Sequence, residues 1–168
     1  MDVTVRQYAQ NDYQACRRLW VELTEHHRTI YGDQTIGGDD PGSGFDDYLE
    51  IPERVSSWVA VIDDEVVGLT GLFDHGTSGE VEPVVVTDAR RQQGVGRSLI
   101  ERVVTEASRR GYDYVAIRPV ARNVTAIRSF YDVGFRTLGG HIDLTMDLRD
   151  RRHRWIGGLT LHGLDFHY

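Results

Sequence analysis

The residues best suited to chemistry lie between Glu80 and Leu99. Val84-Val85-Val86 is an apolar, β-branched run, followed by a polar turn in which Gly94 and Gly96 open a long amphipathic segment. A strand, a glycine turn and a helix start leave backbone N–H groups that the helix cannot satisfy, at the end where its dipole favours negative charge. That arrangement is a site for a phosphate-bearing ligand. Arg91 and Arg97 flank the turn and can add positive charge. Upstream, Glu80 and Glu82 are two apart on the same strand, so their carboxylates share a face.

A scaffold must position these groups, and 168 residues suffice for one domain with a single core. Apolar residues at 40% and charged residues at 27% describe a globular chain. No apolar run approaches the ~20 residues of a membrane span, and Met1–Arg6 lacks a basic-then-apolar signal pattern. The expectation is a cytoplasmic protein with no membrane partner. A net charge of −7 argues against nucleic acid as a partner. All 19 basic residues are arginine, and Asp (17) outnumbers Glu (9), which suits both a high-salt cytoplasm and GC-rich coding. Cys16, the lone cysteine, excludes an intrachain disulfide and reads as a small core residue.

Val3–Tyr8 alternates as a first strand. Asn11 or Asp12 can cap a helix carrying Tyr13, Cys16, Leu19, Trp20 and Leu23 on one face and ending near His26-His27. A glycine-rich loop with Asp33, Asp39 and Asp40 leads to a short helix over Phe45–Ser56, interrupted at Pro52. Ser57–Ile62 and Val66–Phe73 form a hairpin, and Glu80–Val86 is the fourth strand. Pro83 cannot donate to a ladder, so that strand is expected to bulge there and leave backbone groups open to a ligand. A helix from Gly96 to Gly111 then crosses to a fifth strand, Tyr112–Arg118, parallel to the fourth. Asn123 or Thr125 caps a short helix closed by Gly134, and Phe135–Leu138 with His141–Leu148 reads as a final antiparallel pair.

Arg91-Gln92-Gln93-Gly94-Val95-Gly96 lacks the Gly-Lys-Ser/Thr ending of a nucleotide-triphosphatase loop and the three glycines of a dinucleotide fingerprint. At a helix start after an apolar strand, it resembles the Arg/Gln-x-x-Gly-x-Gly/Ala acetyl-CoA motif of the GNAT N-acetyltransferase superfamily. Asn123, Ala126, Phe130-Tyr131 and Gly134-Phe135 are similar to the family's Asn-x-x-Ala-x-x-x-Tyr-x-x-x-Gly-Phe signature, with one residue fewer before Gly134. The similarity runs from Val3 to Leu148; Gln92-Gln93 departs from the family's frequent Gly-Lys.

The resemblance implies an α/β (α+β) fold: a mixed, mostly antiparallel twisted sheet of about seven strands with about four helices. Residues 1–150 would form this domain and 151–168 an extension, serving as an added strand or a dimer contact. It implies acetyl-CoA as cosubstrate and a primary amine as acceptor. Backbone groups of Val84, Val85 and Val86 would run beside the pantetheine, with a free N–H as oxyanion donor. The N–H groups of Gln92, Gln93, Gly94, Val95, Gly96 and Arg97 would hold the pyrophosphate, with charge from Arg91 and Arg97. Asn123 would contact CoA or cap its helix. Glu80 or Glu82 would deprotonate the amine, directly or through water, and Tyr131 would protonate the departing thiolate.

No metal is expected, because the histidines show no ligand spacing. Asp33, Asp39, Asp40, Asp46 and Asp47 form either a solvated acidic loop or a mouth attracting a cationic small-molecule amine. Alternatives are acetylation of protein N-termini or side chains, a non-catalytic acyl-CoA sensor, and an interaction protein working through its aromatic tail. Trp155, Ile156, Leu159, Leu161, Leu164, Phe166 and Tyr168 make that tail apolar, which points to a homodimer.

Overall fold

The computed structural model describes residues 2–136, 157–161 and 163–167. The chain divides into two compact units, Met1–Arg118 and Pro119–Tyr168.

The first unit is built on a sheet of β1 (Thr4–Gln7), β2 (Arg54–Ile62), β3 (Glu65–Asp74), β4 (Ser78–Val86) and β5 (Tyr114–Ile117), in that spatial order. Neighbours from β1 to β4 are antiparallel. β5 is parallel to β4, as the helical crossover between them requires. Helices α1 (Tyr13–Tyr31) and α2 (Gly44–Glu50) bury Cys16, Leu19, Phe45 and Tyr48 against Val59, Leu69, Phe73 and Val85 of the sheet. Helix α3 (Val95–Arg110) packs Val95 and Leu99 against Ala60, Ile62 and Val67. Val59 and Ala60 are consecutive, so the two clusters lie on opposite faces of β2. Cys16 is fully buried, and that burial pushes its thiol up to about 12.

Two local expectations change. α1 continues past His26-His27 to Tyr31 and stops where Gly32 adopts φ 64°, a left-handed cap that glycine takes without steric cost. Asp12 precedes α1, but its carboxylate turns back to accept from the Ala9 N–H at 2.9 Å and from both Arg6 Nη atoms at 2.7 and 2.8 Å. Those bonds, led by the one from Arg6, hold its pKa below the ordinary aspartate value.

The expected bulge is present. Thr70 faces Val84 and Leu72 faces Val81, so Gly71 alone spans Glu82 and Pro83, which are joined by a cis peptide bond. A side chain at Gly71 would collide with the Tyr48 hydroxyl and the Glu82 carbonyl, so only glycine lets α2 close over the bulge. The bulge also resets the alternation of β4. Glu80 faces Phe73 and Val85 faces Leu69, which puts both on the α1–α2 side.

In the second unit, the Asn123 side chain accepts from the Ala126 N–H at 3.0 Å and caps α4 (Val124–Val133). Strands β6 (Gly157–Leu161) and β7 (Leu164–His167) pair antiparallel. The strands described therefore lie in a five-stranded and a two-stranded sheet rather than in one sheet of about seven. Phe135 and Arg136 are not in a strand, and the rest of the final pair expected before Arg149 lies outside the described residues. The tail, expected either to add a strand or to make a dimer contact, contains the β6–β7 pair. Among the described residues, no helix is long and apolar enough to cross a membrane.

Candidate functional site

The glycine turn sits between β4 and α3. Val86 ends β4, a single 3-10 turn covers Asp88–Arg90, and Gln92 and Gly94 take φ 60° and 84° before the helix begins. The first helical bond runs from the Ser98 N–H to the Gly94 carbonyl at 3.1 Å. The amides of Val95, Gly96 and Arg97 precede it and are those a helix leaves without an internal acceptor.

Gly96 is informative because nothing among the described residues requires it. Its φ is ordinary, and among those residues an added Cβ would meet only Val86 Cγ2, at an unstrained 3.8 Å. Alanine would serve the helix better by up to about 1 kcal/mol. A small residue that the described packing and backbone do not require fits close approach by a ligand, and these residues therefore suit a pyrophosphate. Arg91 is tied into the loop: its Nε donates to the Val86 carbonyl at 3.2 Å and its Nη2 lies 2.7 Å from Asp88 Oδ1. Gln93 Nε2 donates to the Ala89 carbonyl at 3.1 Å. Arg97 Nη1 lies 3.6 Å from Glu101 Oε1.

β4 changes character along its length. It pairs with β3 as far as Val86 but with β5 only through Val81. Among the described residues, Glu82 to Val86 thus has a strand on one side only, leaving the other backbone edge of Val84, Val85 and Val86 for a partner other than a strand.

The bulge separates the two glutamates, and their environments differ. Glu80 is buried at 6% exposure; its Oε2 accepts from His75 Nε2 at 2.9 Å and pairs with the Arg118 guanidinium. Glu82 is exposed at the bulge. Behind it, the Tyr48 hydroxyl shares a 2.6 Å hydrogen bond with Ser57 Oγ, and burial pushes the Tyr48 phenol up to about 12. His75 and Arg118 escaped sequence reasoning: His75 belongs to no metal pattern, and Arg118 is brought to Glu80 by strand pairing rather than by spacing. Glu22 escaped it too; from the middle of α1 it accepts from Thr87 Oγ1 at 2.9 Å and from the Asp88 N–H at 3.0 Å.

In the second unit, Tyr131 is exposed on α4, with the Arg136 guanidinium 4.9 Å from its ring centroid. Asn123 takes the capping role, one of the two open to it. The acidic loop is partly self-neutralised. Asp33 accepts from Thr35 Oγ1 at 2.6 Å, Asp40 pairs with Arg17, and Asp46 accepts from the Tyr13 hydroxyl at 2.6 Å. No group of three or more His, Cys, Asp or Glu is placed to hold a metal ion among the described residues.

Comparison with known proteins points the same way. The rat N-acetylaspartate synthetase is 32% identical over 94 residues, 55% of this chain but 31% of its own length; the human protein is 31% identical over the same shares. The chain thus spans about a third of the curated relatives it matches. The fold is shared with a ribosomal-protein-alanine N-acetyltransferase from Brucella melitensis (TM-score 0.69, 12% identity, 87% of this chain, all of that one). It is also shared with AAC(6')-Iy, solved with the bisubstrate analog CoA-S-monomethyl-acetylneamine (TM-score 0.63, 17% identity, 88% and 99% coverage). The acetyltransferase (GNAT) family model matches residues 19–135, a span that takes in α1 from Leu19 onward, the bulged β4, the glycine turn and α4. With that match across most of its length, the chain belongs to the GNAT acetyltransferase family.

Proposed function

We propose that this chain transfers an acetyl group from acetyl-CoA to a primary amine of a small molecule. One observation carries the reading: among the described residues, a strand that loses its neighbour after Val81 leads through one turn to a helix start whose Gly96 no described contact requires. The amides from Gln92 to Arg97 hold the pyrophosphate, and the one-sided edge of Val84–Val86 holds the pantetheine arm and donates to the thioester carbonyl. Acetyl-CoA supplies an activated acyl group with a thiolate leaving group. Exposure favours Glu82 as the group that takes the proton from the amine, while Glu80 orients His75 and Arg118. Tyr131, on the motif-bearing helix, returns a proton to the thiolate.

The acceptor class has two readings. The acidic loop favours a cationic amine, but Asp33, Asp40 and Asp46 already have internal partners. Arg118 is likewise paired, with Glu80, but its guanidinium is exposed, which fits an acceptor that also carries a carboxylate, such as the aspartate in the relatives' name. A panel of polyamines, aminoglycosides, amino acids and peptide N-termini, followed by release of CoA thiol, separates these. CoA binding without turnover of any acceptor would leave a non-catalytic sensor. Leu159 and Leu164, exposed on the β6–β7 hairpin, support a homodimer, which the solution mass of the chain tests.

A further inference from the structure

Resting on that reading of the glycine turn, we propose that Glu22 of α1 is a positioning residue for the donor loop. Its carboxylate would clamp the loop's entry so that the amides beyond it face the pyrophosphate. Glu22 Oε1 accepts from Thr87 Oγ1 at 2.9 Å and Oε2 from the Asp88 N–H at 3.0 Å, so both oxygens are used at one joint. That joint is where β4 ends: the Thr87 N–H donates to the Val67 carbonyl at 2.9 Å, and the short turn over Asp88–Arg90 starts immediately after. The Asp88 N–H is an N-terminal amide of that turn and has no acceptor within it, so Glu22 caps the turn from a distant helix.

The clamp is passed on. Asp88 Oδ1 lies 2.7 Å from Arg91 Nη2, and Arg91 Nε reaches back to the Val86 carbonyl at 3.2 Å. Gln92 then turns at φ 60° and presents the helix start. Without Glu22, Asp88 would still hold Arg91, but the unit they form would be hinged at Thr87. Glu22 touches no reacting atom in this account; it reduces the freedom of amides that must converge on one anion.

The test uses the full chain, with CoA as the calorimetric probe and acetyl-CoA in steady-state assays. Glu22→Ala is expected to raise the Kd for CoA and the KM for acetyl-CoA about tenfold, the scale of one charge-assisted hydrogen bond, with kcat at saturating acetyl-CoA within about twofold of wild type. Glu22→Gln keeps one accepting oxygen and should fall between. Thr87→Val removes one of the two bonds without touching α1 and should weaken CoA binding in the same direction. An unchanged Kd for Glu22→Ala, even with reduced thermal stability, would make Glu22 a structural brace and overturn the proposal. Should Glu22→Ala not fold, an unchanged Kd for Thr87→Val overturns it equally. A wild-type chain that does not bind CoA would overturn the donor-loop reading and this proposal together, whereas binding that is indifferent to both variants overturns this proposal alone.

Discussion

Two segments of this protein look alike as strings of letters: the turn over 87–96 and the loop over 32–43. Both are polar and contain glycines, and each follows a long element, β4 or α1, that packs an apolar face into the core. Their hydrogen bonding differs. In the loop over 32–43, Arg28 Nε donates to the Ile36 carbonyl at 2.8 Å and Arg28 Nη2 to the Gly38 carbonyl at 2.7 Å. Thr24 Oγ1 reaches the Pro41 carbonyl at 3.3 Å, and Asp33 satisfies Thr35 twice. α1 thus pins that loop through its carbonyls. In the turn over 87–96 Arg91 and Gln93 brace the loop, and the segment finishes on the first amides of α3, which have no acceptor within the helix. One segment is pinned by its neighbouring helix, and the other ends at a helix start that can take an anion.

Substitutions can break or sharpen this contrast. The largest effect should come from Gly96→Val. The motif takes Gly or Ala at this position and the fold has room for a methyl group, so Gly96→Ala should keep both stability and affinity, while the branched side chain of Gly96→Val should raise the Kd for CoA, measured by calorimetry, about a hundredfold by steric exclusion of the ligand. A stable Gly96→Val variant with wild-type affinity would erase the distinction between the two segments. Next, Glu82→Gln should lower kcat about a hundredfold while leaving the Kd for CoA unchanged, as expected of a proton acceptor. If Glu80→Gln has that effect instead, the buried carboxylate is the base.

On the other side of the comparison, Arg28→Ala should cost about 1–2 kcal/mol by denaturant unfolding, because it strands two loop carbonyls, with little change in CoA affinity. The smallest effect belongs to a site remote from both segments. Glu106 is held at about 2 by hydrogen bonds from Arg109 first and then Arg110. A depressed carboxylate pKa stabilises the fold above its unfolded value near 4.5 and loses that contribution as pH falls towards about 2. Glu106→Gln should therefore flatten the fall in melting temperature over that range and leave the neutral-pH Kd for CoA alone.

What the sequence disclosed followed distance along the chain. Cys16 and Leu19 announced a buried helix face through their spacing, and Pro83 announced a bulge because a residue without an N–H cannot sit in a regular ladder. The glycine turn was legible because strand, turn and helix are contiguous. The end of α1 was misjudged because His26-His27 looked like a polar stop, whereas the helix ends on the backbone geometry of Gly32. Glu80 was legible as a strand residue, but its burial was not. That depends on His75 turning back across a hairpin and on Arg118 arriving through parallel pairing. Glu22 and Thr87 are 65 positions apart, and nothing in either neighbourhood points to the other.

Cys16 has a chemical consequence beyond packing. A protein that lives beside an acyl thioester is exposed to acylation of its own side chains, chiefly at amines and thiols. This chain has no lysine, and its one thiol is sealed in the core and shifted to about 12. Acyl groups delivered to it would therefore meet neither a thiol nor a lysine amine on its surface, leaving imidazoles and hydroxyls as the side chains open to acylation.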